Sequence, residues 1–222
     1  MKITIVVPVR AGSERVLNKN TKNFFNSSLL EHKIHVLKKI NKELIDNIIV
    51  NTNCIEAIAI AKKYNISVHI RDEYFASSNV SNDESWHHIA SVTDTENILL
   101  AQVTSPFVKA STYELAIKKY KENPQFDSLN SISFEKKFLW KDNKPINYKY
   151  ENTPKTQNLP DIFSLNFAIS LISRHSLLKQ KNLVGEKPQF YSLDKLESID
   201  IDDEFDFTFS EILMEKFKSN YY

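Results

Sequence analysis

The sequence predicts a three-layer α/β/α fold around a mostly parallel sheet, with one small β-rich excursion. Three observations predict it. Short apolar runs rich in β-branched residues recur along the chain, as in strands buried on both faces. Segments with apolar residues at helical spacing separate those runs. One stretch, residues 135–163, follows neither pattern.

Residues 3–9 (ITIVVPV) are the first buried strand. Residues 28–40 place Leu30, Ile34, Leu37 and Ile40 on one helical stripe, and residues 47–53 (NIIVNTN) return to a strand. A helix over 55–64, strands over 66–70 and 96–103, and an amphipathic helix over 110–122 continue the alternation that builds a parallel sheet. Residues 127–134 read as a strand. The stretch 135–163 is too long for an ordinary internal loop and carries Phe138, Trp140, Tyr148, Tyr150 and Phe163. It is expected to form a lid or a dimer arm on one domain spanning 1–222. The core resumes over 165–172. The chain closes with a short strand in ESIDID and a helix from about Glu204.

Composition narrows the function. Lys and Arg number 29 against 28 Asp and Glu, a net charge of +1 that gives no footprint for nucleic acid or an acidic membrane. No apolar run approaches the roughly 20 residues of a membrane span. The opening MKITIVVPVR lacks a cleavable signal pattern, and the single cysteine, Cys54, forms no internal disulfide. A cytoplasmic protein is expected.

The segment RAGSERVLNKN, residues 10–20, leaves the first strand where ligands of open α/β sheets bind. Gly12 is one of only 2 glycines in the chain, so its place in this loop needs a local reason. It lets backbone N–H groups approach an anion. Arg10, Arg15 and Lys19 add the positive charge that a triphosphate requires. The bland alternative is a solvated basic loop. The segment is neither a Walker loop nor GxGxxG.

These residues resemble the opening of the CMP-acylneuraminate (CMP-sialic acid) synthetase family, which begins with a strand, R-x-G-S-x-R and a K-N pair. The similarity continues through residues 44–64, ILLAQVTSPF (98–107), LPDIFSLNFAISLI (159–172) and SIDIDDEFDF (198–207), in the family's order. It implies a Rossmann-like nucleotidyltransferase sheet and a cytidylyltransferase that binds CTP and an acidic small-molecule acceptor. It implies nucleotide contacts from Arg10, Ala11, Gly12, Ser13, Arg15, Lys19 and Asn20, with Arg71 reaching in from the third strand's end. Gln102, Thr104 and Ser105 match the family's Q-P-T-S-P block and imply acceptor contacts, as do Lys155, Gln157 and Asn166. For Thr104 and Ser105, strand-end turn chemistry is the competing reading.

Asp200 and Asp202 are the candidate metal ligands. Strand alternation would place them on one face, where paired carboxylates call for a cation. Mg²⁺ takes one or two carboxylates plus substrate phosphate oxygens. Alternatively these acids belong to the closing helix, for which Asp203 and Glu204 suit the N-terminus. The resemblance favours metal binding.

The chain also departs from the family. Glu14 stands where Lys is common and is expected to face solvent. Asn53 replaces an Asp, Val108 an Arg, Ser164 an Arg and Phe167 a Gly. The last three fall on the acceptor side, where N-acetylneuraminate is expected to fit poorly. His87 and His88, adjacent on a helix, make a poor metal pair and are expected at the surface or in a cap. Cys54 is expected as a small buried hydrophobe.

The expected reaction is attack of an acceptor oxygen on the α-phosphorus of CTP, with pyrophosphate leaving and Mg²⁺ on Asp200 and Asp202. Arg10, Lys19, Asp200 and Asp202 carry the chemistry. A homodimer through 135–163 is expected. Two rivals remain. One is a nucleotide-sugar glycosyltransferase, whose D-x-D normally ends a mid-chain strand. The other is a catalytically silent binding subunit.

Overall fold

The computed structural model of the chain describes residues 1–13 and 15–221; Glu14 lies outside them. Seven strands form one sheet: β1 (Ile3–Val9), β2 (Asn47–Thr52), β3 (Ser67–Ile70), β4 (Asn97–Ala101), β5 (Ser128–Glu135), β6 (Ile162–Ser173) and β7 (Pro188–Ser192). Their spatial order is β7-β5-β6-β4-β1-β2-β3. Every neighbouring pair is parallel except those of β6, which runs against both β4 and β5. The mostly parallel sheet is therefore present, with one reversed strand inside it.

Alternation along β1 produces the three layers. Ile3, Ile5, Val7 and Val9 face one core, with Leu30, Ile34, Ala57 and Ile117. Val6 faces the other, with Ile89, Ile98, Leu100 and Leu177. The first core is covered by helices α1 (Leu29–Leu37), α2 (Ile55–Lys63) and α5 (Ala110–Glu122); α7 (Glu204–Phe217) joins it. Helices α4 (Asn82–Val92) and α6 (Arg174–Gln180) cover the second. A single turn, α3 (Glu73–Ala76), precedes α4. Each fully buried aliphatic contributes about 1.5–3 kcal/mol.

Local chemistry fixes the helix starts. Ser28 and Glu31 form a reciprocal capping box on α1, as Ser81 and Glu84 do on α4. Helix α5 has no side-chain cap of its own. The buried Glu197 accepts from Lys109 N at 3.0 Å and from Thr112 Oγ1 at 2.7 Å, placing a carboxylate at its positive end.

Two expectations are corrected. The segment ESIDID is not a strand: residues 198–203 run as irregular chain into α7. Its one ladder-like bond is Ile201 N to Thr104 O, 2.8 Å, and Ile201 is fully buried. The irregular stretch is also shorter than 135–163, because β5 extends to Glu135 and β6 begins at Ile162. What remains carries a two-residue hairpin (Trp140–Lys141 with Lys144–Pro145) turned by Asp142 and Asn143, both at positive φ. The buried Asn147 stitches its base, accepting from Leu139 N and donating to Lys137 O. Because β5 runs parallel to the direction of β1 and β4, this excursion leaves from the edge where those strands end.

Candidate active site

The order of the strands creates the site. The chain moves outward from β1 to β2 and β3, then returns to place β4 on the other side of β1. Loops after β1 and β4 therefore diverge, leaving a crevice at the carboxyl ends of the strands. A cleft of about 400 Å³ lies there. An adjoining lobe of about 300 Å³ shares Arg10, Arg71, Asn82 and Ser85 with it.

One wall is the first loop. Arg10, Ser13, Arg15, Lys19 and Asn20 all line the cleft. Gly12 has φ +72° and open space around a built Cβ, so the requirement there is conformational, not steric. Ala11 N donates to Asn53 Oδ1 at 2.9 Å, and Asn53 Nδ2 donates to Glu73 Oε2. Asn53, a departure from the family pattern, thus pins the loop. Val16 is buried and anchors its far side, with Lys19 N on Val16 O. Asn20 is buried, and among the described residues its Oδ1 has no hydrogen-bond partner. A buried amide oxygen without a donor is costly unless a ligand supplies one.

The opposite wall joins β4's end to the chain before α7. Gln102, Thr104 and Asp202 line the cleft. Asp200 keeps an exposed edge, yet partial burial raises its carboxyl above the usual range. The Asp202 charge pushes it the same way, while a hydrogen bond from Thr104 and the Lys19 charge oppose. The two carboxylates are therefore brought together, though not by strand alternation. Arg15 Nη2 lies 2.8 Å from Asp202 Oδ1, and Lys19 Nζ donates to Ile201 O. Burial lowers the Lys19 amine, against the raising fields of Asp200 and Asp202. The acidic run divides its labour: Asp203 and Asp206 form the capping box of α7, and Asp202 faces the cleft.

Arg71 is buried at the back. Its Nε donates to Asn51 Oδ1 and its Nη2 to Asn51 O at 3.0 Å. Asn51 Nδ2 in turn meets His69 Nδ1 at 2.8 Å. Burial and the Arg10 charge lower the Arg71 guanidinium to about 10. His88 is half-buried: its ring stacks on Phe75 and lies 5.7 Å from that of His69. Cys54 is buried, as expected, and its thiol donates to Glu56.

Other candidates sit elsewhere. Ser105 is buried under the turn after β4. Val108 is fully buried and belongs to the core. Lys155 and Gln157 are exposed on and beside a 3₁₀ turn and do not line the cleft. Asn166 lies in a bulge of β6, where the register shifts between Leu165 and Ser170. Its Oδ1 accepts from Ser131 Oγ, and its Nδ2 donates to Ser133 Oγ at 2.8 Å. Phe167 holds φ +51° in the same bulge. A non-glycine residue there bears roughly 1–2 kcal/mol of strain, which explains why glycine suits this position. Its ring lies 6.1 Å from that of Trp86, a cleft residue.

Asn82, Ser85 and Trp86 line the cleft from α4 and were not foreseen. The available signal was the polar stretch SSNVSN ahead of a capped helix, close behind Arg71.

The sequence model of one family, described as cytidylyltransferase, matches residues 4–197. An N-acylneuraminate cytidylyltransferase of Escherichia coli O18:K1:H7 is 27% identical over 97% of this chain and 52% of its own length. The chain thus spans about half of that relative. A CMP-N,N'-diacetyllegionaminic acid synthase of Legionella pneumophila is 27% identical over 97% of each. A solved CMP:2-keto-3-deoxy-manno-octonic acid synthetase, complexed with CTP, shares the fold at TM-score 0.70 and 10% identity, covering 97% of this chain and 99% of that one.

Proposed function

The chain belongs to the cytidylyltransferase family, and on that premise we propose that it transfers CMP from CTP to an acidic sugar of the sialic-acid-like ulosonic class. Pyrophosphate is released, and the product serves surface glycan synthesis. The observation that carries the reading is the cleft itself. Four cations, Arg10, Arg15, Lys19 and Arg71, line the same space as the carboxylate Asp202, with Asp200 beside it. Cations suit phosphates, and a carboxylate pair suits the metal that accompanies them.

The chain's residues divide the work. Arg10, Arg15 and Lys19 hold the phosphates and the departing pyrophosphate, supplying charge stabilisation fixed before reaction. Asn20 and Arg71 orient the nucleoside. Gln102 and Thr104 place the acceptor oxygen in line with the α-phosphorus. Among the described residues no three His, Cys, Asp or Glu side chains are gathered as a metal cage. Two carboxylates are nonetheless a fitting set for Mg²⁺ when substrate phosphates complete its shell. Asp200 and Asp202 would hold the ion, which supplies charge neutralisation at the phosphates when bound.

Calorimetry in MgCl₂ tests the nucleotide. CTP is expected to bind and a nucleotide sugar such as CMP-N-acetylneuraminate to bind no better. Selective binding of UDP- or GDP-sugars over CTP would favour a glycosyltransferase.

The excursion supports a homodimer. Phe138, Trp140, Ile146 and Tyr150 are all substantially exposed, Tyr150 at 70%. Aromatic density of this kind suits an interface core. Light scattering at micromolar concentration is expected to give twice the chain mass of 25.8 kDa. A monomer would refute the assignment. No helix among the described residues is long and apolar enough to cross a membrane.

A further inference from the structure

Four consecutive carbonyls at the turn after β4 are each held by a different partner. Ile201 N donates to Thr104 O at 2.8 Å. Lys33 Nζ donates to Ser105 O at 2.8 Å. His32 Nε2 bonds Pro106 O at 2.7 Å, and Tyr221 Oη donates to Phe107 O at 2.7 Å. Burial pushes His32 down to about 4, so the ring is neutral and its Nε2 carries the donated proton. Three of these four donors are side chains from outside the turn.

Lys33 is the costly member. It is fully buried on α1, and its second partner is the hydroxyl of the buried Tyr113, 2.9 Å away. Its two hydrogen-bond acceptors are both neutral oxygens; Glu197 and Asp200 act on it through their fields. An ammonium buried without a contacting counter-charge destabilises a core, and burial pushes this amine down to about 7. A methionine would fill similar space without that cost. Stability alone therefore does not account for a lysine here.

The turn it holds does have a use. Thr104, one residue before the captured Ser105, lines the cleft and hydrogen-bonds Asp200. Thr104 O also receives Ile201 N, between the two candidate metal carboxylates. We infer that Lys33 is a positioning residue: through Ser105 O it fixes Thr104, and through Thr104 it sets the Asp200–Asp202 pair against the cleft. The inference rests on the reading of that cleft as a CTP site. Tyr113 accepts from the ammonium, and the Glu197 charge acts on it as well.

The test is CTP calorimetry on the full chain, in MgCl₂ and in excess chelator, with melting temperatures measured alongside. Lys33→Met is expected to melt no lower than the parent at pH 7. It should bind CTP in MgCl₂ more weakly by about fivefold or more, the scale of one lost charge-assisted contact. Its CTP affinity in chelator should not change. Tyr113→Phe, which removes one of the two acceptors at constant shape, should move the same way by a smaller factor. Parental CTP affinity in both buffers by a folded Lys33→Met overturns the inference. So does a fall in melting point with equal loss in both buffers, which marks a merely structural lysine. Should Lys33→Met not fold, Tyr113→Phe decides by the same readout. Failure of the parent itself to bind CTP overturns the cytidylyltransferase reading, and this inference with it.

Discussion

Asp202→Asn is expected to lower turnover by about a hundredfold or more, the scale of removing one preorganised electrostatic contact from a transition state. The substitution keeps shape and removes the charge with which Asp202, on the proposed reading, would hold a cation at the phosphates. The fold should not notice. Asp202 and Arg15 are both more than half exposed as an ion pair, and such pairs contribute at most about 1 kcal/mol. The cap of α7 is untouched, because Asp203 and Asp206 provide it. Steady-state kinetics with a melting curve check this. Parental turnover in Asp202→Asn, or parental turnover in excess chelator, would remove the metal assignment.

Lys19→Ala is expected to weaken CTP binding by about tenfold or more, because a charge-assisted contact is worth roughly 1.5–3 kcal/mol. Lys19 does two things in the structure. It lines the cleft with a half-desolvated amine, and it ties the first loop to the segment before α7 through Ile201 O. Its removal therefore also loosens the wall that carries Asp202. Calorimetry measures the effect, and unchanged affinity would place the nucleotide elsewhere.

Much of this site was legible in the sequence, for physical reasons. The run ITIVVPV is buried on both faces, so its strand appears with the expected bounds, and α5 does likewise. Arg10, Arg15 and Lys19 fall within ten residues just past the first strand, a charge density that stands out in the sequence even though Arg15 and Lys19 also contact the segment before α7. Three things were not legible. The chain around Ile201 has a strand-like pattern, but one buried Ile and a single bond to Thr104 replace a ladder. Strand β7, PQFYS, has one buried position, the polar Gln189, and too little alternation to stand out at a sheet edge. Lys33 counts as polar in any helical pattern, yet it lies on the buried side with Leu29 and Leu37. The departures also read differently in three dimensions. Val108 belongs to the core, whereas Phe167 keeps a left-handed backbone that suits glycine and turns its ring toward Trp86.

The acceptor side follows from these positions. Ser164 is exposed and donates to Glu135, and Val108 is buried, so neither offers a cation to a sugar carboxylate. N-acetylneuraminate is accordingly expected to be a poor acceptor beside a smaller or differently substituted ulosonic acid. The account is tested most directly by pyrophosphate release from CTP, measured with the full chain in MgCl₂ across a panel of ulosonic acids. It predicts acceptor-dependent release with CTP, lost with other nucleoside triphosphates and slow with N-acetylneuraminate. Absence of release with every acceptor, from a chain that still binds CTP, would contradict it and leave a silent binding subunit.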